Sequence, residues 1–171
     1  MTDPIRPSTL NRQGFVAAFG AIFEHSPWIA EAAFDAGLSA NADSAEGLHR
    51  ALCAVLRSAP RDRKEALIQA HPDLAGRLAR AGQLTAESSK EQASAGLDSL
   101  SDADYGRFIA LNDAYKAKFG FPFIMAVKGR RVDEILAAFE ARLQNDAEAE
   151  FAEAMTQIER IALLRLRDIL P

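Results

Sequence analysis

An all-α fold, a single-domain bundle of about eight helices, is what this sequence predicts. Alanine and leucine are frequent and β-branched residues sparse, a mix that favours helix. Apolar residues recur at three- and four-residue spacing. Cap residues and helix-opening prolines punctuate those stretches. With 171 residues, 49% of them hydrophobic, the chain can bury a proper core. Its net charge of −4 gives no broad attraction to nucleic acid or anionic membrane. No apolar run is long enough to span a bilayer and no leader is recognisable, so a cytoplasmic location is expected.

Residues 1–10 read as an extended arm. Asn11 can cap a first helix, with Phe15, Phe19, Ile22 and Phe23 inward and His25 and Ser26 at its end. Ser26-Pro27 reads as a cap and first-turn proline for a second helix, to about Ala36 and stopped by Gly37. Residues 38–43 are a loop. Ser44 caps a third helix carrying Leu48, Leu52, Val55 and Leu56. Pro60 opens a fourth, which reaches His71. A short helix is expected after Pro72, to about Ala81 and closed by Gly82. Thr85 caps a helix over 86–97. Ser101, with Asp104, opens a long one that Gly120 ends. The apolar run 121–127 has no obvious strand partner and reads as a buried irregular connection. Val132 to Asn145 is helix, and Asp146 caps the last. No linker or repeat marks a second domain.

His71 is the first residue of chemical interest. The residue before a proline is pushed out of the α region, so His71 falls at a corner between helices. An imidazole held there is either a proton donor or acceptor, or simply a polar turn residue. Ser88, Glu91 and Gln92 share one helix face at i, i+3 and i+4. That face either binds a polar heterocycle or is solvated. Arg165, among three leucines, either points its guanidinium inward to grip a carboxylate or lies at a helix edge with its head in water; the edge reading is the stronger for Arg167 and slightly the stronger for Arg165. His25 reads as structural and His49 as solvent-facing. The one cysteine, Cys53, excludes an internal disulfide and reads as a small buried hydrophobe. No metal-ligand spacing, phosphate loop or nucleophile elbow occurs, so a cofactor-free site is the natural expectation.

Five stretches occur in order: IFEHSPWIAEAA, HPDLAGRLA, SSKEQASAGL, FGFPFIMAVKGR and IALLRLRDIL. Together they resemble the 2-oxo-4-hydroxy-4-carboxy-5-ureidoimidazoline (OHCU) decarboxylases of urate breakdown, over nearly the whole chain. The resemblance implies one all-helical domain over residues 1–171 and a homodimer. It implies OHCU as substrate, (S)-allantoin and carbon dioxide as products, and no metal or organic cofactor. It implies His71 as catalytic proton donor. Glu91 then either orients His71 or accepts ureido N–H groups. Substrate contacts are implied at Pro72, Ser88, Ser89, Lys90, Glu91, Gln92 and Arg165. They are also implied along the backbone of Phe123, Ile124, Met125, Ala126 and Val127. The alternative is a helical module that keeps this fold without the activity. A metal-dependent hydrolase is disfavoured by the scarcity of histidines.

Overall fold

The short-range caps dictate most helix starts in the computed structural model, which describes residues 5–171. Nine α-helices and two 3₁₀ turns form among these residues, with no strand. The all-α expectation holds. The described residues fold as two compact units, 5–70 with 159–171, and 71–158.

In the first unit, Asn11 caps α1 (Arg12–Phe19) by accepting the Gly14 N–H. The helix stops at Phe19, six residues short of His25. The physical reason lies in the next turn, where Arg165 draws the carbonyls of Ala21 and Ile22 to its guanidinium, each at 3.3 Å. Ile22 and Phe23 still bury their side chains, and His25 takes a left-handed φ of 47°. Ser26 does not cap α2 (Trp28–Asp35); its hydroxyl donates to the Glu24 carbonyl instead. The expected extended arm is also corrected. Residues 7–9 form a 3₁₀ turn, and the Asp43 carboxylate accepts both the N–H and the hydroxyl of Ser8 at 2.8 Å. Residues 1–4 lie outside the described part.

A second 3₁₀ turn, Ala40–Asp43, occupies the expected loop, and Ser44 caps α3 (Ala45–Ser58) through Gly47 N. Gly47 is required there, since a Cβ would come within 1.5 Å of the Asn41 carbonyl oxygen. Then α4 (Arg61–Ala70) ends one residue before His71. His49 is not solvent-facing as expected. Its Nε2 lies 2.8 Å from the Glu159 carbonyl, which can only accept, so this nitrogen carries the proton. Cys53 is buried, and its thiol is pushed up to about 12 by burial and by the nearby Glu159 charge.

In the second unit, residues 72–76 are not helical and α5 is a single turn (Arg77–Arg80). This corrects the helix expected from Pro72. Ala75 sits at φ 49°, and neighbouring helices take the backbone groups that a helix would have used internally. Thr85 caps α6 (Ala86–Ser94) and Ser101 caps α7 (Asp102–Phe119), which Gly120 closes at φ 78°. Residues 121–127 are irregular and largely buried, as expected. Val132–Arg142 is α8, and Asp146 accepts the Ala149 N–H at the start of α9 (Ala147–Arg167). Helix α9 contributes its first part to this unit and its last turns to the other.

The core of this unit is aromatic. Phe123 stacks on Phe139 with ring centroids 3.8 Å apart, and Tyr115 meets Phe123 edge-on at 5.4 Å. Phe108, Ile135, Leu136 and Val127 complete it.

Candidate functional site

Helix α6 presents two different sides. Ser88 and Gln92 are buried and Glu91 half-buried, whereas Ser89, Lys90, Ala93 and Ser94 are exposed. The i, i+3, i+4 face is therefore turned inward rather than solvated. Ser89 and Lys90 fall on the outer side of the same helix.

Gln92 ties that face to the segment carrying His71. Its side-chain oxygen accepts the Ala75 N–H at 2.8 Å, and its amide nitrogen donates to the Asp73 carbonyl at 3.3 Å. Helix α7 holds the same loop from another direction. Asn112 Nδ2 donates to the Leu74 carbonyl at 2.9 Å, and Lys116 Nζ pairs with the Asp73 carboxylate at 2.7 Å. His71 and Pro72 are half-buried at the near end of this loop. A left-handed non-glycine residue such as Ala75 costs about 1 kcal/mol and persists only where its surroundings over-determine it. Four side-chain contacts from two helices do so.

The segment 123–127 is held in the same manner. Phe123, Ile124, Ala126 and Val127 are buried and Met125 half-buried. Arg142 Nη1 donates to the Ile124 carbonyl at 2.6 Å, and its guanidinium lies 4.3 Å above the Phe123 ring. Gln157 Oε1 accepts the Ala126 N–H at 3.0 Å. Arg142 forms a buried ion pair with Glu150 at 2.8 Å. Asn145 and the Tyr115 hydroxyl donate to the same carboxylate. Burial pushes the Glu150 carboxyl up, but Arg142, Tyr115 and Asn145 together outweigh it and leave the group below its ordinary value. Burial, reinforced by Glu150, raises the Tyr115 phenol well above its usual range.

Arg165 belongs to the other unit. Its guanidinium is buried, which corrects the edge alternative, and the carboxylate it grips is Glu24, at 3.0 Å. Arg167 is exposed and pairs with Glu46.

No group of three or more His, Cys, Asp or Glu side chains among the described residues is arranged to hold a metal. Sequence reasoning missed Asn112, Lys116, Arg142, Glu150 and Gln157. A signal existed for three of them. Asn112 interrupts the buried stripe of Phe108 and Tyr115, and Glu150 and Gln157 interrupt that of Ala154, Ile158 and Ile161.

Comparison with known proteins bears on this arrangement. A family model described as OHCU decarboxylase matches residues 8–167. The OHCU decarboxylase of Haloferax volcanii is 43% identical over 159 residues, covering 93% of this chain and 90% of the relative. A crystal structure of (S)-allantoin synthase superposes with a TM-score of 0.76 at 32% identity; the match covers 96% of this chain and 52% of that one. A structure of OHCU decarboxylase crystallised with (S)-allantoin shares the fold, with a TM-score of 0.63 at 22% identity over 82% of this chain and 89% of that one.

Proposed function

The chain belongs to the OHCU decarboxylase family, and we propose on that premise which of its residues carry the reaction. The enzyme is a carboxy-lyase that converts OHCU to allantoin and carbon dioxide in urate degradation. Loss of carbon dioxide breaks the bond between the ring carbon and its carboxylate. The freed electron pair forms a double bond to the ureido-bearing carbon and displaces the ring C=N pair onto its nitrogen, which takes up a proton, so the substrate is its own electron sink. The resulting enol is then protonated at the ureido-bearing carbon, and its hydroxyl proton leaves as the carbonyl forms. That carbon is the stereocentre, so the face that receives the proton decides the hand of the product.

His71 is the proton donor in this reading and yields (S)-allantoin. The inward face of α6 holds the ring and ureido groups through Ser88 and Glu91, with Gln92 joining that face to the histidine's loop. Pro72 shapes the approach to the imidazole. The backbone of residues 123–127 offers further polar partners, and Ser89, Lys90 and Arg165 enter through the family resemblance. The observation that supports the reading is the Gln92 bridge, which makes the polar face and the His71 loop neighbours. The family match runs from residue 8 to 167, which supports one OHCU decarboxylase domain over the whole chain. A homodimer in the cytoplasm completes the reading, and equilibrium sedimentation of a monomer would refute the dimer. No helix among the described residues is long and apolar enough to cross a membrane.

The test is His71→Ala, assayed on freshly generated OHCU by the circular dichroism of allantoin. A positioned general acid contributes about 10²–10⁴-fold, and the variant should lose turnover by that factor while keeping its fold. Wild-type rate with wild-type enantiomeric purity would overturn the assignment.

A further inference from the structure

The loop that follows His71 is held by more than the inward face of α6. Residues 73, 74 and 75 each have a backbone group bound by a side chain from a neighbouring helix. Gln92 takes Asp73 O and Ala75 N, and Asn112 takes Leu74 O. Lys116, one helical turn beyond Asn112, fixes the Asp73 side chain.

Asn112 is the unusual member. It is 1% exposed, deep in the stripe that α7 buries. The Leu74 carbonyl can only accept, so the nitrogen of the Asn112 amide must face it. That leaves Oδ1 buried with no hydrogen-bond partner. Asn112 leaves its own Oδ1 unpaired and a leucine of similar volume would leave the Leu74 carbonyl unpaired instead, so the count of orphaned buried acceptors does not favour the amide. A demand for one donor at one carbonyl does.

We propose that Asn112 is a positioning residue for the decarboxylation, and that Lys116 assists it. The two set the path of residues 73–75 and hence the direction from which the His71 imidazole meets the enol. The proposal rests on His71 being the proton donor. A displacement of about 1 Å in a reacting group can lower a rate by about 10²-fold, so a loop one hydrogen bond looser has a large effect. An enol that waits for its proton escapes to water and is protonated on both faces. Loss of enantiomeric purity therefore separates a mispositioned donor from a merely unstable protein, which makes less product of unchanged hand.

The experiment compares wild type with Asn112→Leu, Asn112→Gln, Lys116→Met and His71→Ala. Each is assayed for kcat, KM and the enantiomeric excess of allantoin after subtraction of the uncatalysed racemic background. Thermal midpoints are measured alongside. Asn112→Leu should keep its midpoint within a few degrees, lower kcat at least tenfold with little change in KM, and lower the enantiomeric excess. Lys116→Met should lower both kcat and enantiomeric excess, but less. Asn112→Gln should recover part of the stereochemical loss if its amide reaches the Leu74 carbonyl. If Asn112→Leu keeps full enantiomeric excess and kcat per folded molecule, the positioning role is wrong. If Asn112→Leu fails to fold, Lys116→Met carries the test, and its unchanged enantiomeric excess would be equally fatal. An active, stereospecific His71→Ala would instead sink the reading on which the proposal stands.

Discussion

Replacing Glu150 by glutamine should unlock the segment 123–127, and the size of the effect follows from the local geometry. Glu150 is fully buried and accepts from Arg142, Asn145 and Tyr115. A glutamine amide removes the charge and turns one acceptor into a donor, leaving a guanidinium that is only 12% exposed without its counter-ion. Removing one partner of a buried pair costs about 3–5 kcal/mol; residual water access at Arg142 favours the lower figure. At about 3 kcal/mol, the midpoint of the second unit, residues 71–158, falls by roughly 12–24 °C. Arg142→Met should be comparably damaging, because it strands the carboxylate and frees the Ile124 carbonyl. The double variant buries no net charge, so its loss should fall short of the sum of the singles by about 2 kcal/mol.

Urea unfolding gives the numbers. Both tyrosines lie in the second unit and the one tryptophan, Trp28, in the first, so tyrosine and tryptophan signals report the two units separately. The loss should appear in the tyrosine signal. Because the folded carboxyl of Glu150 lies below its ordinary value of 4.5, its contribution is present above that value and disappears as pH falls through the folded value. Glu150→Gln should therefore flatten the acid side of the stability curve. Additive single-variant losses, or an unchanged acid limb, would refute the argument.

Two further outcomes follow from the first unit. Glu24→Gln strands the buried Arg165 guanidinium and should lower stability by about 3 kcal/mol in the Trp28 signal; an unchanged urea midpoint would show that the pair contributes nothing. The Cys53 thiol, raised to about 12, should react with a disulfide reagent at pH 8 only on the timescale of unfolding. Immediate labelling of the native enzyme would contradict its burial.

The residues that start helices were legible because caps are local. Asn11, Ser44, Thr85, Ser101 and Asp146 each accept an N–H three residues on, a relation visible in the sequence itself. That Ser88, Glu91 and Gln92 share one face of α6 was legible for the same reason; that this face turns inward was not, since spacing alone left a solvated face equally open. The early end of α1 and the unwound stretch after Pro72 were not. Each depends on a side chain distant in sequence: 143 residues separate Arg165 from Ile22, and 38 separate Asn112 from Leu74. Local propensity favoured helix at both places, and tertiary hydrogen bonds overrode it.

The two irregular segments share one physical requirement. Buried backbone outside a helix or sheet has polar groups that must find partners, and bare hydrocarbon cannot supply them. For residues 73–75 the partners are Gln92 and Asn112; for 124–126 they are Arg142 and Gln157. Each of these side chains sits on a helix, and Gln92, Asn112 and Gln157 are more than nine-tenths buried, where an apolar residue would pack with less penalty. Their chemistry is explained by what the facing loop lacks rather than by their own helix. Arg142 alone needs an internal counter-charge, which accounts for Glu150, and that carboxylate in turn accounts for the Tyr115 hydroxyl and for Asn145. A polar residue on an otherwise apolar helical stripe is thus a sequence-readable marker for a buried irregular segment elsewhere in the same unit, although the stripe does not say which one.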